Sequence, residues 1–357
     1  MNISVIGLNH KAAPIDIREK FYLNPTQQEL FLSELKSNPA VAESFILSTC
    51  NRTEVYSHNI DDRLHPTLFM RMIMNIKKIQ FTTEFESYFY HLKDEEAIDH
   101  LFKVSSGLDS LVLGEKQILG QVKEAFERAR AMGMFSKHFN VLSNLAIRAG
   151  KKAQTETNIS LGGSSISWAA IEMAEKHLGT LADKSILIIG AGKMSELAVT
   201  QIQNKGLKKL YLMNRTPENA MTLAEKYGGE AVGFCDIKEI LSSVDLCICS
   251  VGAPHYIIDK STVQRVLPAT GSKKIMFIDI SMPRNIDPAV ADLNGVLLYT
   301  IDDLKEVVDL NMKLREQSIA QVHEIIQQKI TEYEQKISRL NNDYATSTLE
   351  NRETINS

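Results

Sequence analysis

The sequence predicts a multidomain α/β chain: a small mixed unit first, a doubly wound parallel sheet second, and a long helix at the end. Three observations carry this. Strand and helix signals up to His91 follow the order β-α-β-β-α-β. A mostly apolar run, Ser185 to Ile189, ends in Gly190-Ala191-Gly192 and is followed by alternating helix and strand signals. Beyond Asp303 the pattern is helical for a long way.

Each element has a local reason. Ile3 to Leu8 reads as a strand. Pro25 to Lys36 reads as a helix, with Asn24 as N-cap and Pro25 at the first position, where a missing N–H costs nothing. Ser44 to Thr49 and Thr53 to Ser57 read as two strands flanking Cys50-Asn51-Arg52, Pro66 to Lys77 as a helix, and Ser87 to His91 as a short strand. This is the split, ferredoxin-like order. From Asp94 to about Lys152 the pattern is helical, punctuated by Gly107, Gly114, Gly120 and Gly133. Leu161-Gly162-Gly163-Ser164 reads as a hinge, and Ser165 to Leu178 as a helix. Strands at Ser185–Ile189, Leu210–Met213, Leu246–Ser250 and Ile275–Ile280, with helices between them, predict a parallel sheet of Rossmann type. Leu304, Val307, Val308, Met312, Ile319, Val322, Ile325, Ile326, Ile330 and Ile337 form an interrupted apolar stripe on the last helix, and residues 341–357 are polar. The domains expected are 1–155, 156–303 and 304–357.

Composition bounds the function. At 357 residues, 44% hydrophobic and 24% charged, the chain has material for several cores. A net charge of −4 makes the whole molecule no magnet for nucleic acid, so any RNA contact needs a local patch. Residues 116–152 offer one: Lys116, Lys123, Arg128, Arg130, Lys137, Arg148, Lys151 and Lys152 stand against Glu124 and Glu127. A solvated helical face explains that run equally well. No apolar stretch approaches the roughly 18 residues of a membrane span. Cys50, Cys235, Cys247 and Cys249 lack paired spacing, so a reducing cytoplasm fits and a zinc knuckle does not.

Gly190-Ala191-Gly192-Lys193-Met194-Ser195 lies between a strand and a helix, the context of a dinucleotide-binding turn. The first glycine permits the turn and the second lets a pyrophosphate approach backbone N–H groups. Ser195 replaces the usual third glycine, which predicts slightly looser helix–strand packing. About 20 residues on, where an acidic residue would read the ribose of NAD, stand Asn214, Arg215 and Thr216, whose cation and donors suit the 2′-phosphate of NADP. An ordinary glycine turn with an exposed arginine is the bland alternative.

Cys50 sits in a tight connection, and a cysteine nucleophile must be a thiolate. Arg52 is either the charge that lowers its pKa or a fork for a substrate carboxylate. The bland reading is a strand-end cysteine beside a solvated arginine, and the residues alone leave it open. Cys235, Cys247 and Cys249 lie in or near predicted buried strands and read as packing residues. His100, among Ile98, Leu101, Phe102 and Val104, is a packing histidine or, if its helix faces Cys50, a general acid/base. Glu115-Lys116-Gln117 between Gly114 and Gly120 reads as a shaped loop, with Glu115 a candidate for a substrate ammonium or simply a helix-terminal acid.

These residues together resemble the glutamyl-tRNA reductase family over roughly residues 1–340. The motifs are GLNHKAAP from Gly7 to Pro14, SxCNRTE from Ser48 to Glu54, and SSGLDSLVLGEKQILGQVK from Ser105 to Lys123. The resemblance implies that Cys50 is the nucleophile and His100 the histidine needed for full activity. It places Thr49, Asn51, Arg52, Ser110, Glu115, Lys116, Gln117 and Gln121 at substrate-binding positions, and Gly190 to Ser195 at the NADPH turn. It implies reduction of glutamyl-tRNA(Glu) to glutamate-1-semialdehyde through a thioester, the first step of tetrapyrrole synthesis. The next enzyme, an aminomutase, is the implied protein partner. Movement about residues 155–163 is the expected means of bringing the nicotinamide to the thioester. The family's longer dimerisation region is shortened here, which puts the homodimer in question. A dehydrogenase of small free acids and a non-catalytic NADP-binding regulator are the competing functions.

Overall fold

The computed structural model describes residues 2–60, 65–80, 82–160, 165–267, 274–304 and 316–355, the last fifteen by backbone alone. The chain divides into two compact units. The first holds residues 1–13, 23–161 and 313–357, the second residues 14–22 and 162–312.

The first unit is built on a four-stranded sheet in the order β2-β3-β1-β4. The strands are β1 (Ile3–Asn9), β2 (Val41–Ser48), β3 (Arg52–Asn59) and β4 (Tyr90–Lys93), and every pairing is antiparallel. With α2 (Pro25–Lys36) and α3 (Thr67–Lys77) as crossovers, this is the ferredoxin-like arrangement read from the sequence. The start of α2 is fixed locally. The Asn24 side chain accepts from the Gln27 N–H while the Gln27 side chain accepts from the Asn24 N–H, a reciprocal capping box. The other sheet face is covered by α4 (Asp94–Ser105), α5 (Gln117–Ala131) and α6 (Lys137–Glu156). There Phe45 stacks on Tyr56 at 4.5 Å and meets the Phe126 and Phe139 rings edge-on.

The strand predicted at Ser87–His91 is displaced. Thr83–Tyr88 forms a 3-10 turn, and β4 starts at Tyr90, where Tyr90, His91, Leu92 and Lys93 pair with β1. The run Tyr88-Phe89-Tyr90 satisfies a strand pattern at several offsets, and only pairing with β1 selects one.

The second unit is a six-stranded parallel sheet in the order β10-β9-β8-β5-β6-β7. Its strands are β5 (Ser185–Ile189), β6 (Lys209–Met213), β7 (Glu230–Val232), β8 (Leu246–Cys249), β9 (Ile275–Asp279) and β10 (Val296–Thr300). The order reverses between β5 and β8, the switch point of a Rossmann sheet. Helices α7 (Ile166–Leu178), α8 (Lys193–Ile202), α9 (Pro217–Tyr227), α10 (Ile237–Ser243) and α11 (Lys260–Val266) flank it. Continuous apolar strands such as Ser185–Ile189 fit this burial on both faces.

The units cut across the domain limits read from the sequence. An unforeseen helix, α1 (Ile15–Phe21), belongs with the parallel-sheet unit. Arg18, 2% exposed, donates to both carboxylate oxygens of Asp302 at 3.2 and 2.9 Å, and Arg284 pairs with Glu19 and Asp16. The terminal helix α12 (Glu316–Ile355) packs on α6 and α4 of the first unit through Val322, Ile326 and Ile330. Val307, Val308 and Met312 of the predicted stripe, and the hinge at residues 161–164, lie outside the described residues. No helix among the described residues is long and apolar enough to cross a membrane.

Candidate active site

Cys50 occupies a connection of minimal length between β2 and β3. Thr49 N–H donates to the Arg52 carbonyl at 2.8 Å, and Asn51 N–H donates to Thr49 Oγ1 at 3.2 Å. His10 N–H, just after β1, donates to the Asn51 carbonyl. Thr49, Asn51 and Arg52 are buried, whereas Cys50 is half-buried. The backbone around the thiol is thus held from three sides.

Below it lies a buried ion network. Arg52 Nη1 donates to Glu54 Oε1 at 2.7 Å and to Asp109 Oδ2 at 2.9 Å, and Nη2 donates to the Asp109 carbonyl. Glu54, wholly buried, also accepts from Tyr56 Oη, from Tyr90 Oη and at 2.9 Å from His100 Nε2. Lys11 Nζ and Asn9 Nδ2 hold the Asp109 carboxylate from outside. Burial alone would push the Glu54 carboxyl up and the Arg52 guanidinium down. The attraction of Arg52 and His100 wins at Glu54, which is held well below the usual carboxylate range, and Glu54 with Asp109 raises Arg52. His100 is thus part of this network. It is oriented by a carboxylate and lines a cleft of about 330 Å³ with Asn9, Lys11, Tyr90 and Asp109.

Arg52 is largely committed to the protein. Three of its five N–H donors are engaged, both on Nη1 and one on Nη2. The buried Nε–H has no partner among the described residues.

The loop between α4 and α5, residues 106–116, closes over this network. Gly107 and Gly114 have φ of +77° and +75°, and Gly114 N–H donates to the Gly107 carbonyl at 2.9 Å. A Cβ on Gly114 would lie 2.0 Å from the Ile159 carbonyl oxygen, so the close approach itself demands glycine. The turn buries Glu115, 8% exposed, without a hydrogen bond to its carboxylate among the described residues. Burial lifts its pKa to about 7, against the opposing pull of Arg52. Around it the side chains are unsatisfied. Asn51 Oδ1, Arg52 Nε, Ser106 Oγ, Ser110 Oγ and Gln117 Nε2 are all buried without partners among the described residues. Each such atom costs about 1–3 kcal/mol unless a ligand or water completes it. Gln121 is half-buried one turn beyond Gln117 on α5. Lys116 does not join this group: its side chain is exposed, and its carbonyl accepts from Gln154.

In the second unit, Gly190 ends β5 with φ +113°, and a Cβ there would lie 2.3 Å from the Ser250 carbonyl oxygen. Gly192, the N-cap of α8, differs: a Cβ would meet nothing within 4 Å. Its lack of a side chain serves open space in front of the helix N-terminus, where a pyrophosphate would lie. Ser195 is fully buried against the Gly190 turn, with its Oγ unpartnered among the described residues. Asn214, Arg215 and Thr216 line a cavity of about 650 Å³ at the C-terminal ends of β6 and β8. Ala191, Lys193 and Met194 complete the turn, with the Met194 carbonyl accepting from Ser167. The residues fit a phosphorylated dinucleotide.

Several site residues escaped the sequence reading. The Val251–Ile257 loop after β8 and Phe234 line the nucleotide cavity; the rule that ligands gather at the strand ends beside the switch point would have found the loop. Glu54, Tyr90 and Asp109 were given no role. Arg52 and Glu54 stand two apart on a strand and share a face, a signal that was available. Cys235 was read as near a buried strand but is exposed on a 3-10 turn, Phe234–Asp236, whereas Cys247 and Cys249 are buried in β8 and burial raises both thiols. Of the basic run, Arg128 and Arg130 are drawn into hydrogen bonds with Gln28, Asn140 and Ser143, while Lys116, Lys137, Arg148 and Lys151 remain exposed.

Residues 6–157 match the family model for the N-terminal domain of glutamyl-tRNA(Glu) reductase, and residues 172–307 match that for shikimate/quinate 5-dehydrogenase. The chain is 42% identical over 348 residues to the glutamyl-tRNA reductase of Thermodesulfovibrio yellowstonii, covering 95% of this chain and 81% of the relative. It is 38% identical over 341 residues to that of Bacillus subtilis strain 168, covering 95% and 74%. Among solved structures, glutamyl-tRNA reductase from Methanopyrus kandleri is similar with a TM-score of 0.53 and 31% identity, over 95% of this chain and 81% of that one.

Proposed function

The chain belongs to the glutamyl-tRNA reductase family, and from that premise we propose that it reduces glutamyl-tRNA(Glu) to glutamate-1-semialdehyde through a thioester on Cys50. The observation that carries the assignment of residues is the set of buried, unpartnered polar atoms around Glu115, beside the Cys50 hairpin. They suit a small zwitterion. Ionised Glu115 receives the ammonium group, while Arg52 Nε, Ser110 Oγ and Gln117 Nε2 can donate to the side-chain carboxylate.

The Cys50 thiolate attacks the ester carbonyl carbon. A C–S bond forms, the bond to the 3′-terminal ribose oxygen breaks, and the tRNA leaves once that oxygen gains a proton. His100, braced by Glu54 as the histidine of a catalytic triad is braced by its carboxylate, is the proton carrier. The ester is already activated, so no nucleotide hydrolysis is needed. NADPH, when bound, supplies the hydride that turns the thioester carbon into an aldehyde and frees the Cys50 sulfur. Gly192, Ser195 and Arg215 hold the cofactor's phosphates, and Asn214 and Thr216 its ribose. Lys116, before α5, and the exposed Lys137, Arg148 and Lys151 of α6 meet the tRNA backbone. The aldehyde product passes to an aminomutase, and the reaction takes place in the cytoplasm.

Family membership does not favour the two alternatives, a free-acid dehydrogenase and a non-catalytic regulator. Incubation with glutamyl-tRNA in the absence of NADPH tests the proposal. Glutamate attached at Cys50, found by peptide mass spectrometry and absent in Cys50→Ser, is the expected result. No adduct, together with no aldehyde after NADPH is added, would overturn it.

A further inference from the structure

A second cluster of potential ligands lies at the far end of the β2–β3 hairpin. Glu43 is on β2, His58 on β3 and His138 in the first turn of α6. Glu43 is seven residues from Cys50 along an extended strand, about 20 Å away at roughly 3.3 Å per residue. It is 1% exposed, a severe place for a carboxylate. Its Oε2 accepts from the backbone N–H groups of Ser136 and Phe139 at 2.6 and 2.9 Å, so the group is locked as a cap on α6. Oε1, which also accepts from His138 N–H at 3.0 Å, is the atom both imidazoles face.

The geometry of that approach is informative. His58 Nδ1 lies 3.4 Å and His138 Nδ1 lies 3.3 Å from the same Glu43 Oε1. His58 Nδ1 is buried and makes no hydrogen bond among the described residues. The two rings sit with centroids 3.9 Å apart, and the three ligand atoms lie within 4.8 Å of one another. A tetrahedral zinc ion with bonds of about 2.0–2.1 Å separates its ligand atoms by about 3.4 Å. The two edges that meet at Glu43 Oε1, 3.4 and 3.3 Å, have that length. No lysine or arginine pairs with Glu43 among the described residues, so one negative charge stands ready for a cation. The other carboxylate–histidine group, Glu54, His100 and Asp109, also brings three ligand atoms within 4.8 Å. There the place of a cation is taken by the Arg52 guanidinium.

We propose that Glu43 Oε1, His58 Nδ1 and His138 Nδ1 form a site for one divalent transition-metal ion of the zinc class. The ion ties β2, β3 and α6 together behind the sheet. The imidazoles bind through neutral Nδ1. The His58 and His138 side chains are 18% and 22% exposed, which leaves an entry from solvent. Tyr333 of α12 has a buried hydroxyl, unpartnered among the described residues, that lies within the field of Glu43.

The test uses the full chain, stripped with a chelator, reloaded with Zn²⁺ or Co²⁺ and passed through gel filtration. One equivalent retained, with the visible bands of tetrahedral Co²⁺, is the expected result. His58→Asn and His138→Asn, whose side chains are partly exposed, should each weaken retention by roughly 100-fold or more. Circular dichroism checks that they fold. His100→Asn, at the other cluster, should retain the ion. Failure of the unaltered chain to retain metal would sink the proposal, as would unchanged retention in both the His58 and His138 variants, or loss in His100→Asn alone.

Discussion

Replacing Glu115 by glutamine should stabilise the free protein and damage its function, and the size of both effects follows from one number. Burial raises the Glu115 pKa from 4.5 to about 7. A folded-state pKa above the unfolded value means that the native state holds its proton more tightly. The penalty is therefore absent below pH 4.5, grows as pH rises, and is complete above about pH 7. A shift of about 2.5 units at 1.36 kcal/mol each is about 3 kcal/mol. Glu115→Gln mimics the protonated form at every pH. It should match the wild type near pH 4.5 and exceed it by about 3 kcal/mol at pH 8. The only tryptophan, Trp168, lies in the parallel-sheet unit. Urea-dependent amide exchange of α5 peptides isolates the unit that holds Glu115. In the proposed mechanism the same ionisation receives the substrate ammonium. Wild-type kcat/KM should fall about tenfold per pH unit below 7, and the variant should be slow and insensitive to that ionisation. A stability difference that does not change between pH 5 and 8 would refute the reasoning.

Two further outcomes follow from the geometry. Gly190→Ala should fail to fold normally or lose several kcal/mol, because its Cβ would meet the Ser250 carbonyl, whereas Gly192→Ala should keep the unfolding midpoint and lose NADPH affinity. Thermal unfolding paired with cofactor fluorescence titration separates them, and equal melting temperatures for the two variants would contradict the account. Glu54→Gln should cost about 3–5 kcal/mol by leaving Arg52 short of one counter-charge in the interior. Because the Glu54 pKa is depressed, its contribution is present above the unfolded pKa near 4.5 and fades as pH falls below it, so acid titration followed by circular dichroism should show the variant and wild type converging at low pH.

The sequence revealed what local physics decides. The Asn24 cap and Pro25 fixed α2 to the residue, and the glycine turn after Ser185–Ile189 located the nucleotide unit. It concealed what only long-range pairing decides. β4 moved because β1 chooses its register, and α1 was missed because its anchor, Asp302, lies 284 residues from Arg18. Cys50 and His100 were legible as candidates, but the carboxylate joining Arg52 to His100 was not. Glu54 looks like any alternating strand residue until the sheet buries it. Glu115 was visible as glycine-flanked, yet its raised pKa depends on burial that spacing does not encode.

The network also bears on how the thiol is activated. Arg52 seemed the natural source of positive charge for Cys50, but its charge does not stand alone. Arg52 and Lys11 contribute two positive charges, Glu54 and Asp109 two negative ones, all within one set of direct contacts. Such a cluster is nearly neutral at a distance and acts mainly by fixing geometry. An arginine neutralised twice lowers a neighbouring thiol's pKa far less than a lone one would. Substrate binding brings no net positive charge either. A zwitterion carries one charge of each sign, and Glu115 adds a negative charge as it ionises to meet the ammonium. For the proposed thioester route, the group left to activate Cys50 is the His100 ring that Glu54 holds in place, because the Thr49 and Asn51 N–H groups are already engaged.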